Sequence, residues 1–110
     1  MIYYVIKMTY HIMNEETHAV RTCALSTWIK FTGTSNKLVK TDLVKHYQVH
    51  TVFVGLNDDL FKTIVRNTKT SKEVKVVIYK TWVAAVAGHQ KALTHVGNLL
   101  MYDTENILNK

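Results

Sequence analysis

Six histidines, His11, His18, His46, His50, His89 and His95, are the groups in this chain best suited to proton transfer or metal binding, and their spacing decides whether any two can act together. His46 and His50 fall in a stretch with strand character, where a four-residue separation leaves them about 13 Å apart, too far to share an ion. His89 and His95 are six apart on a helical pattern and point in different directions. No HExxH, no HxH and no paired carboxylates accompany them, so the sequence offers no metal ligands. Cys23 stands alone without a partner base, and Ser26 reads as a helix cap rather than a nucleophile. Gly33, Gly55, Gly88 and Gly97 are isolated, which excludes a phosphate-cradling loop and a dinucleotide fingerprint. The sequence therefore predicts no catalytic residue and no cofactor.

Binding without chemistry needs fewer parts: cations for phosphate, an aromatic face for a base and an amide for the base edge. Lys62 and Arg66 share one face of a strand that follows Asn57, and they are the expected anion contacts. Phe61 is the candidate stacking ring, although aromatic strand residues mostly pack inward. Trp28 and Arg21 complete the candidate ligand set, with Trp28 and Trp82 also reading as residues that fix the start of their helices. Lys37, Lys40, Lys45, Lys69, Lys72, Lys75 and Lys80 would serve a DNA or RNA groove instead, if loops brought them together.

These residues must be positioned by elements that the hydrophobic pattern predicts. Residues Ile2 to Ile12 alternate as a half-buried strand, and after a turn at Met13 to Glu16 the chain returns over Thr17 to Thr22. A short helix with Leu25, Trp28, Ile29 and Phe31 on one side, capped by Ser26, ends at Gly33. Tyr47 to Leu56 is a strand expected to be buried on both faces in its later half. Asn57-Asp58 turns it tightly into LFKTIVR, and EVKVVIY follows the polar loop from Asn67 to Lys72. Thr81 caps a last helix whose inward stripe is Trp82, Ala85, Val86, His89, Leu93, Val96 and Leu100, with Gly97-Asn98 as its expected end or weak point and a frayed tail from Asp103. On that stripe His89 reads as a buried, hydrogen-bonded structural residue, and Gly88 as the place where the helix approaches a strand or a second subunit. The expected fold is a single α+β domain over residues 1–110: an antiparallel sheet of about five strands with two helices packed on one face, in the order β-β-α-β-β-β-α.

Composition narrows the class further. Fourteen Lys and Arg against eight Asp and Glu give a net charge of +6, which favours phosphate-bearing partners. The apolar runs fall far short of the roughly 20 residues that span a bilayer, and a lone cysteine suits a reducing compartment, so the expectation is an intracellular protein without a membrane. Strands rich in Val, Ile and Tyr with only two helices to cover them leave apolar sheet exposed, and a homo-oligomer is the expected remedy.

The segments HTVFVGLN, LFKTIVRN and YKTWVAAVAGHQKAL, in this order, resemble a family of small, mostly uncharacterised bacteriophage proteins. Residues Thr51 to Leu56, Leu60, Phe61, Thr63, Thr81, Trp82, Ala87, Gly88 and His89 carry the resemblance, which covers the second half of the chain. Where the family has a His and a Gly/Pro-rich loop, this chain has Asn57-Asp58-Asp59, and Lys62 replaces a glutamate of the family pattern. The resemblance implies a phage origin and action in the host cytoplasm. Similar small phage proteins include the Thoeris anti-defence sponges, oligomers that sequester cyclic nucleotides or cyclic ADP-ribose isomers. The function it implies is sequestration of an anionic nucleotide signal, with nucleic-acid binding or inhibition of a host protein as the alternatives.

Overall fold

The structure, a computed structural model, describes residues 8–34 and 37–108, with the backbone alone for 102–108. It is an α+β fold: a six-stranded antiparallel sheet and two helices, with the elements called here β1 (Tyr10–Met13), β2 (Val20–Cys23), α1 (Leu25–Thr32), β3 (Leu38–Val44), β4 (Tyr47–Leu56), β5 (Asp59–Asn67), β6 (Lys72–Tyr79) and α2 (Trp82–Leu108). The expected order is present, and β3 is added to it. The first part of the expected N-terminal strand, Ile2 to Lys7, lies outside the described residues.

The sheet runs β2-β1-β4-β5-β6, with β3 also pairing with β4. Strand β4 is its spine. One edge of β4 pairs along β5, while the other is shared, β3 taking Tyr47 to Val52 and β1 meeting Leu56. Helix α1 fills the interval between them, and the indole Nε1–H of Trp28 donates to the Val54 carbonyl at 2.9 Å. A ladder carbonyl that neither strand reaches is thereby satisfied, as a backbone acceptor away from water requires. Ser26 is not the cap of this helix. The N-cap position is Ala24, with no side-chain hydrogen bond, and Ser26 sits inside the first turn. Gly33 ends the helix as expected.

Strand β4 alternates buried and half-buried over its whole length, so its later half is not buried on both faces as the sequence suggested. The reason is that a single helix, α2, covers one face of the sheet. On that inner face Tyr47, Val49 and Val65 pack with Ala92 and Val96 at one end, and Met13, Phe53 and Phe61 pack with Ala85 at the other. Phe53 and Phe61 meet edge to face, and burying each contributes about 1.5–3 kcal/mol. Asn57 turns β4 into β5 with a left-handed φ of 54°. Its side-chain Oδ1 accepts from the Thr9 amide, and its own amide donates to the Thr9 carbonyl.

Thr81 caps α2 as expected, its hydroxyl accepting from the Ala84 amide at 3.1 Å. The helix does not end at Gly97-Asn98 but continues to Leu108, because one exposed-side glycine costs only about 1 kcal/mol of helix propensity. Of the predicted inward stripe, Val86 points instead to solvent. Gly88 has a definite reason: a Cβ there would overlap the Tyr79 ring, whereas a Cβ on Gly97 meets nothing within 4 Å. Gly88→Ala should therefore lower stability by about 1–3 kcal/mol through overpacking. Gly97→Ala should raise it by about 0.5–1 kcal/mol, and urea unfolding midpoints of the two variants check the opposite signs.

Candidate functional site

Two clusters of polar chemistry emerge from this frame, one on each face of the sheet. On the inner face, between the two apolar ends of the core, Thr51 of β4 and Thr63 of β5 are directly paired in the ladder. Their hydroxyls hydrogen-bond, and Thr51 Oγ1 also lies 2.7 Å from His89 Nδ1. His89 Nε2 reaches Asp42 Oδ2 of β3 at 2.7 Å. A carboxylate accepts only, so Nε2–H donates to Asp42. With a neutral imidazole, Nδ1 then accepts from Thr51, which leaves Thr51 to accept from Thr63. His89 is 1% exposed, Thr51 0% and Thr63 1%.

An Asp-His-Thr line invites comparison with a nucleophilic triad, but its hydroxyls are sealed beneath α2, and a substrate outside the core meets at most the half-buried Asp42. The arrangement ties α2 to three strands at once. It is the structural, hydrogen-bonded role expected of His89.

The second cluster lies on the outer face, which α1 borders at one end and no second layer of described elements covers. Register places three rows across β3, β4, β5 and β6: Leu43, Gln48, Arg66 and Glu73; then Thr41, His50, Ile64 and Val76; then Leu38, Val52, Lys62 and Ile78. Exposure follows from the missing layer, with Leu43 at 68%. In the middle of this grid a depression of about 240 Å³ is lined by Gln48, His50, Ile64 and Arg66. A second, of about 340 Å³, adjoins it across His50 and Ile64 and extends to Trp28, Thr32, Lys37 and Val52. Together they form one cleft with an aliphatic floor and cationic margins.

His50 is the centre of its electrostatics. Burial, then the positive charges of Lys37 and Arg66, push its pKa below the ordinary histidine value of 6.5, which favours the neutral ring at pH 7. Its Nδ1 is buried and has no hydrogen-bond partner among the described residues. Arg66 is only loosely offset by Glu73, at 3.8 Å across an exposed pair. Positive potential thus converges on a neutral ring above apolar side chains, an arrangement suited to an anion that carries an uncharged, flat or apolar part.

Of the sequence candidates, Arg66 and Trp28 line this cleft, and Lys62 shares its face two residues from Ile64. Three others do not join it. Phe61 is 0% exposed in the core, because strand alternation turns it away from Lys62 and under α2. Asn57 is committed to Thr9 and, through Nδ2, to Met8 Sδ. Arg21 sits on β2, the far strand of the sheet from β6. His50 and Gln48 were missed as binding residues, and Lys37 was expected only in a nucleic-acid groove. The alternation of YQVHTVFV put His50 on the face opposite Phe53, but only the β4–β5 register places it beside Ile64 and next to Arg66.

The seven lysines of the nucleic-acid reading divide among sites. Lys45 and Lys69 lie in the β3–β4 and β5–β6 turns, which the Thr68–His46 bonds join, and Lys72 opens β6, while Lys37 stands at the cleft. Among the described residues no group of His, Cys, Asp and Glu is arranged to hold a metal ion, and no helix is long and apolar enough to cross a membrane. No protein-family model, no curated protein and no solved structure matches this chain.

Two outcomes follow from the two clusters. Thr51→Val, nearly isosteric, leaves His89 Nδ1 and the Thr63 hydroxyl without their partner and should cost about 1–3 kcal/mol. The Thr51→Val/Thr63→Val double variant should lose less than the sum of the singles, as read by denaturant titration. For His50, the unfolded chain takes up its proton as pH falls past 6.5 while the folded chain resists until its depressed value is passed. Stability contributed by the neutral ring is present above 6.5 and lost as pH falls below it. His50→Gln should flatten that loss in unfolding midpoints taken from pH 7 down to about pH 5.

Proposed function

We propose that this chain is a non-catalytic binding protein that holds a small anionic nucleotide in the cleft around His50. The observation that carries the reading is the convergence of Lys37 and Arg66 on a neutral His50 above the aliphatic floor of Val52 and Ile64. Lys37 and Arg66 would take phosphate oxygens, Arg66 in the bidentate manner its planar fork favours. A base would lie against Val52, Ile64 and the Trp28 ring, with Gln48 and His50 at its polar edge. Among the described lining residues the one hydroxyl, that of Thr32, donates to the Trp28 carbonyl, which favours retention over reaction. Joined to the phage resemblance, retention of a cyclic nucleotide or a cyclic ADP-ribose isomer would make the protein an anti-defence sponge in the host cytoplasm.

A panel of cyclic mononucleotides, cyclic dinucleotides and cyclic ADP-ribose isomers, read by thermal unfolding, tests this. A ligand at 100 times its Kd should stabilise the chain by about 2.7 kcal/mol. Arg66→Ala should remove most of the shift while leaving the unliganded melting temperature nearly unchanged, since its exposed pair with Glu73 contributes little. Intact ligand recovered after heat denaturation separates holding from degradation. No shift across the panel would sink the reading, and steeply salt-dependent binding to DNA or RNA in its place would favour the lysine clusters instead.

A further inference from the structure

The edges of the sheet are treated unequally. Strand β2 ends one side with only four residues. Strand β3 is irregular at its start, where a bulge falls between Leu38 and Lys40, and Asp42 beyond it is engaged by His89. The free part of β4 is closed by Trp28. Strand β6, eight residues long, pairs on one side with β5 and is the last strand of the sheet among the described residues. Its first half is guarded in the usual manner by Lys72, Lys75 and an irregularity opposite Arg66. Its second half, Val76-Val77-Ile78-Tyr79, carries no charge, no proline and no bulge, and Val76 and Ile78 are 43% and 42% exposed. A long apolar edge of this kind presents unpaired backbone donors and acceptors to any strand that fits it.

We propose that a second copy of this chain covers that edge, β6 pairing antiparallel with β6 of its partner about a twofold axis through Val77. A symmetric pairing sets each residue before the axis against the one equally far after it. An axis at Lys75 would oppose two lysines, and one at Val76 would bring Lys72 against Lys80. An axis at Ile78 shortens the overlap to Val77 to Tyr79. The axis at Val77 opposes Val76 to Ile78 on the outer face and Lys75 to Tyr79 on the inner face, with no like charges facing. Cross-strand pairs of β-branched residues, and a lysine stem over an aromatic ring, are favourable neighbours.

The alternative, pairing through the outer faces, sets Lys62, Arg66 and His50 of one copy against the same groups of the other. Edge pairing leaves them in solvent and joins two sheets into one platform with both His50 clefts on the same side. The dimer does not rest on the ligand reading, since the edge exists whether or not the cleft is filled.

The test uses the full chain in a Cys23→Ser background, which removes the single native thiol. Light scattering after size exclusion should give twice the chain mass. Val77→Cys should then form a covalent dimer by mild oxidation or with a short bis-maleimide, while Leu43→Cys, exposed on the outer face of β3, should not. Circular dichroism checks that both variants are folded, and the uncross-linked Cys23→Ser parent gives the mass independently of either. A parent that stays monomeric at all concentrations overturns the proposal. So does a dimer that links through Leu43→Cys in preference to Val77→Cys, or that forms only with a different protein's strand at the edge.

Discussion

Four side chains from four elements form one hydrogen-bonded line through the middle of this protein: Asp42 on β3, His89 on α2, Thr51 on β4 and Thr63 on β5. The apolar clusters on either side, one of valines, alanine and Tyr47 and the other of Met13, Phe53, Phe61 and Ala85, are non-directional contacts that would tolerate some sliding. The polar line would not. A buried imidazole demands its partners, and a shift of one residue in either ladder would swing the threonines to the opposite face and leave the ring unsatisfied. The line therefore fixes the register of β3, β4 and β5 together and the position of α2 along them. Ala85, His89, Ala92 and Val96 then follow as the contact row of the helix.

Much of this frame is legible in the sequence because it rests on periodicity. The alternation of YQVHTVFVGL and the spacing of Trp82, Ala85, His89 and Val96 determine which sides face inward, and Thr81 and Asn57 mark a helix start and a turn. What escaped is of another kind. LVKTDLV mixes charges into its strand pattern, and β3 forms because β4 offers it an edge and because Asp42 finds His89. Ser26 has a capping side chain, but the chain enters α1 two residues earlier, where Ala24 is extended. The glycine at position 97 marks no stop because nothing crowds the helix there.

The candidate site divides in the same way. Arg66 is legible as a cation on an outward strand face, and Trp28 as an aromatic at a helix start. That they border one cleft depends on cross-strand register and on the way α1 is inserted beside β4, neither of which a linear pattern encodes. His50 is the clearest case. Taken with His46 it suggests a metal pair that strand geometry forbids, and its real distinction is to stand between Lys37 and Arg66 with a buried nitrogen. Phe61 fails for the converse reason, since the alternation that brings Lys62 and Arg66 outward must send it inward.

The sharing of β4's second edge between two strands and a tryptophan has a consequence for how the molecule opens. The β1–β2 hairpin and α1 are held to the rest by the Tyr10–Leu56 pairing, the Asn57–Thr9 bonds, the Trp28–Val54 bond, the His18 ring stacked on Trp82 of α2, and the packing of Met13, Val20 and Phe31 against the core. Strands β3 to β6 with α2 contain the whole polar line and one complete apolar cluster. With one ladder pair to β4 against the long pairings of β4 with β3 and β5, the amide protons of β1 and β2 should exchange through openings of lower free energy than those of β4 and β5.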